Sequence, residues 1–169
     1  MWEYTGQNRP PFAEAPGPGQ ESVWDYPRPP VLVACDSLVE VHDANGVLAS
    51  TRQSQRVLET ASPPTYYLPP DSVDWSRLVR TRDRSFCEWK GVATYWALAN
   101  APSRPVAWSY EGPSERFAAI DGYLSCYPGR TPCFVDGERV QPQPGEFYGG
   151  WVTSRIVGPI KGEPGTGHW

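Results

Sequence analysis

The sequence predicts a mainly β protein: a compact antiparallel, barrel-like body with one short helix and long Pro/Gly-rich terminal arms. Two tight-turn dipeptides, Asn45-Gly46 and Asp136-Gly137, each lie between alternating apolar and polar residues, which is the pattern of β-hairpins. Eight Trp, nine Tyr and five Phe among 169 residues supply the bulk of an ordered core, against the disorder that 20 Pro and 16 Gly would otherwise indicate. Only residues 113–127 keep helical spacing over more than two turns.

Taken in order, residues 1–30 hold seven prolines, each lacking the backbone donor that a helix or central strand needs, so this segment reads as an arm. Trp24 and Tyr26 are its apolar anchors onto the body. A β domain follows over residues 31–141. Its first hairpin is LVEVHDANGVLAST, with His42 on the first strand in a solvated position, and its last is FVDGERV. Residues 56–70 are β-prone but carry Pro63-Pro64 and Pro69-Pro70 on either side of Thr65 to Leu68, which restricts the strand to an edge. Residues 71–79 suit one or two helical turns capped by Asp71 or Ser72. In residues 113–127, Ser114 is the expected cap and Phe117, Ile120 and Leu124 share a face, while Gly122 weakens the helix. Residues 142–169 form a second arm packing on the same domain; seven glycines there imply a backbone that turns often or approaches something closely.

The net charge of −4, with 15 Lys and Arg spread along the chain, disfavours nucleic-acid binding, which needs a basic face to neutralise phosphates. No apolar run reaches the roughly 18 residues of a membrane span, and the first residues lack a signal-peptide core, so a soluble cytoplasmic protein is expected, with no membrane partner. Cys35, Cys87, Cys126 and Cys133 are then expected as thiols. No CxxC, HxH or HExxH spacing is present, so neither a metal nor a cofactor is expected. GTG at 165–167 precedes no helix and is not a phosphate loop.

The stretch RSFCEWKGVATYWAL, 84–98, brings a thiol, a carboxylate and an amine within four positions. If residues 86–98 form one strand, Glu88 and Lys90 share a face and Cys87 lies on the other, with Gly91 as a bulge. With only His42 and His168 in the chain, Cys87 lacks a partner that would activate it, and core packing is its better reading. The candidate ligand-binding residues are Arg56, Glu59, Ser62, Tyr67, Glu88, Lys90 and Trp108, with Tyr66 and Tyr110 beside them: aromatic walls and a few polar groups to fix orientation. Taken singly, each also suits a structural role.

Five motifs in order, SVWDYPRPP, RVLETASPPTYYLPPDSV, RSFCEWKGVATYWAL, VAWSYEGP and PQPGEFYGGWVTSRIVGPIKGEPGT, resemble bacterial proteins of the domain of unknown function 427 family, over nearly the whole chain from Ser22. The resemblance implies a compact Mss4-like β domain, and some classifications label the family nucleotidyltransferase-like. This chain shows neither the carboxylate pair that would hold Mg²⁺ and a triphosphate nor the paired CxxC motifs of zinc-holding Mss4-like relatives. Where family members often read E-T-S-H-P-P, this chain has Glu59-Thr60-Ala61-Ser62-Pro63-Pro64. A general base at that His would be missing here, whereas a binding role survives the replacement.

Two functions follow as expectations. The first is a small-molecule-binding domain, enzymatic or not, with a pocket near segments 56–70, 84–98 and 106–110. The alternative is a protein-interaction or scaffold module that works through its aromatic arms; a second copy of the chain, in a homodimer, is a further partner consistent with either.

Overall fold

The proline-rich arm is tied down in the computed structural model, which describes residues 1–169. Strand β1 (Glu21–Ser22) pairs in parallel with a strand of the tail, and the Ser22 hydroxyl caps the 3-10 turn Val23–Asp25 by accepting from the Trp24 N–H. Trp24 and Tyr26 are only 1% and 4% exposed. Tyr4, Phe12 and Trp169 surround the Trp24 ring at centroid distances of 5.6, 5.4 and 5.3 Å. The arm and the tail thus share a small core with Leu58 and Ala61 of the body.

Strands β2 (Val31–Cys35), β3 (Val39–Asp43), β4 (Gly46–Thr51), β5 (Ser54–Leu58) and β6 (Thr65–Tyr67) follow. The β3–β4 hairpin forms as expected, with Gly46 at φ +112° and the Asp43 carboxylate accepting from the Asn45 N–H at 2.7 Å. Strand β6 is three residues long and ends the three-stranded sheet β2-β5-β6, as the flanking prolines require. Residues 70–77 make two 3-10 turns, Pro70–Ser72 and Trp75–Arg77, and the side-chain cap comes from Asp74, not from Asp71 or Ser72.

The stretch expected as one strand over residues 86–98 is a hairpin. Strand β7 (Leu78–Cys87) ends at the thiol, residues 88–90 turn, and β8 (Gly91–Leu98) returns with Cys87 opposite Gly91. Gly91 has φ +110°, a value that only glycine takes readily, so it ends a turn and is not a bulge within a strand. The turn is pinned from the following segment: Ser114 donates its hydroxyl to the Trp89 carbonyl at 2.7 Å and its backbone N–H to the Lys90 carbonyl at 3.2 Å. Ser114 therefore does not cap a helix with its side chain. Strand β9 (Ala101–Tyr110) completes the meander. The expected short helix is the 3-10 segment Glu115–Ile120, kinked at Phe117, whose buried side chains are Phe117 and Ile120. It is shorter than its spacing predicted because Gly122 turns the chain at φ +74° and the next residues enter β10 (Leu124–Cys126).

Strands β11 (Cys133–Val135) and β12 (Glu138–Arg139) form the second expected hairpin, with Asp136 and Gly137 at φ +47° and +82°. The tail adds β13 (Gln141–Pro142), β14 (Trp151–Val152) and β15 (Ile156–Val157), the last pairing with β1. Two four-stranded sheets, β10-β9-β8-β7 and β12-β11-β3-β4, hold the main core between them, and an isolated bridge from Leu68 to Leu124 joins β6 to the first. The sheets wrap this core without closing into a barrel. Cys126 and Cys133 are fully buried free thiols, and burial pushes Cys133 up to about 12. No helix is long and apolar enough to cross a membrane.

Candidate functional site

Strand alternation sends every second side chain of the β7-β8-β9 meander to one face. On that face the register aligns Ser85 with Ala93 and Ala93 with Tyr110, Cys87 with Gly91, and Tyr95 with Trp108. Opposite stand Val57 from β5 and Glu59 just beyond it, and Thr65 and Tyr67 from β6. The tail closes the remaining side with Gln143, Tyr148, Gly149 and Lys161. Together they enclose a cavity of about 250 Å³.

Five of the seven candidates named from the sequence line it: Glu59, Ser62, Tyr67, Lys90 and Trp108. Arg56 and Glu88 do not. Arg56 is one residue out of phase with Val57, so β5 turns it to the other face, where it donates to Glu21 at 2.7 Å. Glu88 sits exposed in the 88–90 turn. Of the two neighbours, Tyr110 lines the cavity, whereas Tyr66 stacks on Trp151 in the main core at a centroid distance of 4.7 Å. The separation of Cys87 from Lys90 expected for a single strand is overturned: with a turn between them, both reach the same cavity.

Hydrogen bonds hold the walls in place. Trp108 Nε1 donates to the Tyr67 hydroxyl at 3.1 Å, and the Ser85 and Tyr95 hydroxyls are 2.7 Å apart. Gln143 clamps the tail, donating Nε2 to the Lys161 carbonyl at 2.7 Å and accepting from the Gly150 N–H at 3.1 Å. Gly149 lies flat against Trp108, where a methyl group would fall within 2.7 Å of Cζ3 and closer still to Cη2. This is the close approach that the glycine-rich tail implied.

The electrostatics are cationic. Burial pushes the phenols of Tyr67, Tyr110 and Tyr127 above the usual tyrosine range, so all three serve as neutral hydrogen-bonding groups. Glu59 is the one carboxylate of the lining, and Arg28, with a side chain 3% exposed, holds its Nε 3.4 Å from Glu59 Oε1. Lys161 donates to the main-chain oxygen of Trp169 at 3.2 Å; desolvation, and then the charge of Arg28, lower its pKa. Lys90 is 9% exposed, and its Nζ sits 5.7 Å and 5.5 Å from the ring centroids of Tyr110 and Phe117. No three His, Cys, Asp or Glu side chains gather as a metal site would require.

Several lining residues carried no sequence signal of their own. Ser85 and Tyr95 follow from alternation once the hairpin is placed. Lys161 and Gln143 come from the tail through long-range packing, which no local pattern encodes.

The chain belongs to the family described as a domain of unknown function (DUF427), whose model matches residues 31–141, well over half of the chain. No curated protein matches the chain. The matched segment ends before Gln143, so the tail side of the cavity, with Tyr148, Gly149 and Lys161, lies beyond it.

Proposed function

We propose that this protein is a small-molecule-binding domain whose site is the aromatic-walled cavity between β5–β6, the β7-β8-β9 meander and the tail. One observation carries the reading: Glu59, Ser62, Tyr67, Lys90 and Trp108, drawn from three separate segments of the sequence, line a single cavity. A few polar groups within aromatic walls are the usual make-up of a ligand site. At about 250 Å³ the space is below the roughly 300–1,000 Å³ common for drug-sized ligands. That favours a molecule smaller than a nucleoside triphosphate, and with Ser62 where relatives often carry His, binding is preferred to proton transfer.

The alternative, a module that docks partners through its aromatic arms, has less support. Trp24, Tyr26 and Trp151 are buried within the protein, so these side chains serve its own packing. Four free thiols accord with a reducing, cytoplasmic setting.

Thermal-shift screening against small organic acids, amines and amides tests the proposal. A ligand that binds only the native state raises Tm, and a Trp108→Ala variant should lose that rise. If no compound in the set moves Tm at millimolar concentration, the proposal is wrong.

A further inference from the structure

Lys90 is placed where its amine has little protein to bind. The Ser114 bonds to the Trp89 and Lys90 carbonyls fix the turn, and the side chain extends inward over Tyr110 and Phe117. It is nine-tenths buried, yet it makes no side-chain hydrogen bond and has no carboxylate within 4.0 Å, while Arg28, Arg56 and Arg77 each pair with an acid. The two rings supply cation–π contacts only, so all three N–H donors of the ammonium stay free toward the cavity. The one carboxylate in the same cavity, Glu59, is engaged by Arg28. Three N–H donors therefore face a cavity walled mainly by phenols and an indole, in which Glu59 is the one carboxylate and Ser62, Ser85, Gln143 and Lys161 are other polar groups.

Resting on the small-molecule reading above, we propose that the ligand is a small organic oxyanion with a flat apolar body, its charged end received by Lys90 Nζ and its body stacked between Trp108 and the tyrosines. An unpartnered ammonium opening onto a cavity is best met by a charged acceptor, and such hydrogen bonds are the strong ones. Lys161 lies across the cavity but already donates to Trp169, which makes Lys90 the primary anchor.

The test is calorimetric titration of the full chain with benzoate, its neutral isostere benzamide, benzylamine and phenyl phosphate. Benzoate should bind at least about tenfold more tightly than benzamide, and benzylamine should be the weakest. Phenyl phosphate tighter than benzoate would identify the oxyanion as a phosphate; the reverse would identify a carboxylate. Lys90→Met keeps the stem and removes the charge, so it should erase the preference for benzoate while leaving benzamide unchanged; Lys90→Arg should retain part of it. The Tm of Lys90→Met, measured alongside, establishes that it is folded. Equal binding of benzoate and benzamide overturns the anion proposal but leaves small-molecule binding standing. An unchanged preference in Lys90→Met that is lost in Lys161→Met overturns the assignment to Lys90. Failure of all four probes to bind overturns both readings.

Discussion

Trp108 Nε1 donates to the Tyr67 hydroxyl at 3.1 Å, with the two rings edge to face, and this bond ties β9 to β6 across the floor of the cavity. Both residues are buried, so neither polar group has ready access to water. Tyr67→Phe removes the acceptor and leaves a buried indole N–H unpaired, which should cost about 1–3 kcal/mol. Adding Trp108→Phe to that variant should cost less than Trp108→Phe alone in the native background, because the orphaned donor goes with the ring. Urea denaturation of the four proteins, read as a double-mutant cycle, checks the coupling; strictly additive losses would show that the bond contributes nothing.

Gly149 is the steric complement of that indole. Its backbone does not require positive φ, so the demand for glycine comes from the Trp108 ring alone. Gly149→Ala should therefore destabilise by about 1–3 kcal/mol through overpacking and weaken any cavity ligand as the ring shifts. Gly91→Ala is the contrasting case: φ is +110° but a Cβ would meet nothing within 4 Å. It should strain the turn by about 1–3 kcal/mol without a steric clash. A crystal structure of each variant would separate the two mechanisms by whether Trp108 moves.

Both hairpin turns and the proline-bounded edge strand were legible because the cause is local: Gly46 and Asp136-Gly137 supply unusual φ values, and Pro removes donors. The 84–98 hairpin was missed because its turn, Glu88-Trp89-Lys90-Gly91, carries one glycine and no other turn residue, and Ser114 holds it from 24 positions or more downstream. That one error placed Cys87 and Lys90 on opposite faces. Arg56 was wrongly grouped with Glu59 for a related reason: composition shows polar residues near one another, but only strand phase shows which face each takes. Lys161 reaches the site through tail packing and had no local signal.

The arm at residues 1–30 belongs to the fold, and Trp24 is its keystone. The indole is buried against Tyr4, Phe12 and Trp169, and its Nε1 donates to the Pro159 carbonyl at 3.0 Å. Trp24→Ala should cost about 3–5 kcal/mol. Limited proteolysis should then cut both the arm and residues 158–169 earlier than in the native protein. Unchanged cleavage of the tail would show that the two segments do not depend on each other.

Asp136 joins the second hairpin to the tail and gives the protein a defined acid response. Its carboxylate accepts from the Leu38 N–H at 2.8 Å and from Arg155 Nη2 at 2.6 Å, and the Arg155 bond, followed by the Leu38 bond, holds its pKa below the usual carboxylate value. A carboxyl group whose folded pKa is depressed adds stability that is fully present above its unfolded pKa, near 4, and is lost as pH falls through the folded value. The side chains of Arg155 and Asp136 are 44% and 35% exposed, so solvent screening limits the contribution to about 1 kcal/mol. Asn is the informative replacement, since it keeps the shape and tolerates the φ of +47° that Asp136 adopts. Asp136→Asn should therefore unfold at lower urea concentration at pH 7; the gap should begin to close below about pH 4, where the unfolded-state carboxyl takes up its proton, and disappear only once pH falls below the depressed folded value. Raising the salt to 1 M at pH 7 should narrow the same gap, because an exposed ion pair is screened. A difference that persists unchanged to pH 2 would mean that Asp136 acts through its turn geometry and not through its charge.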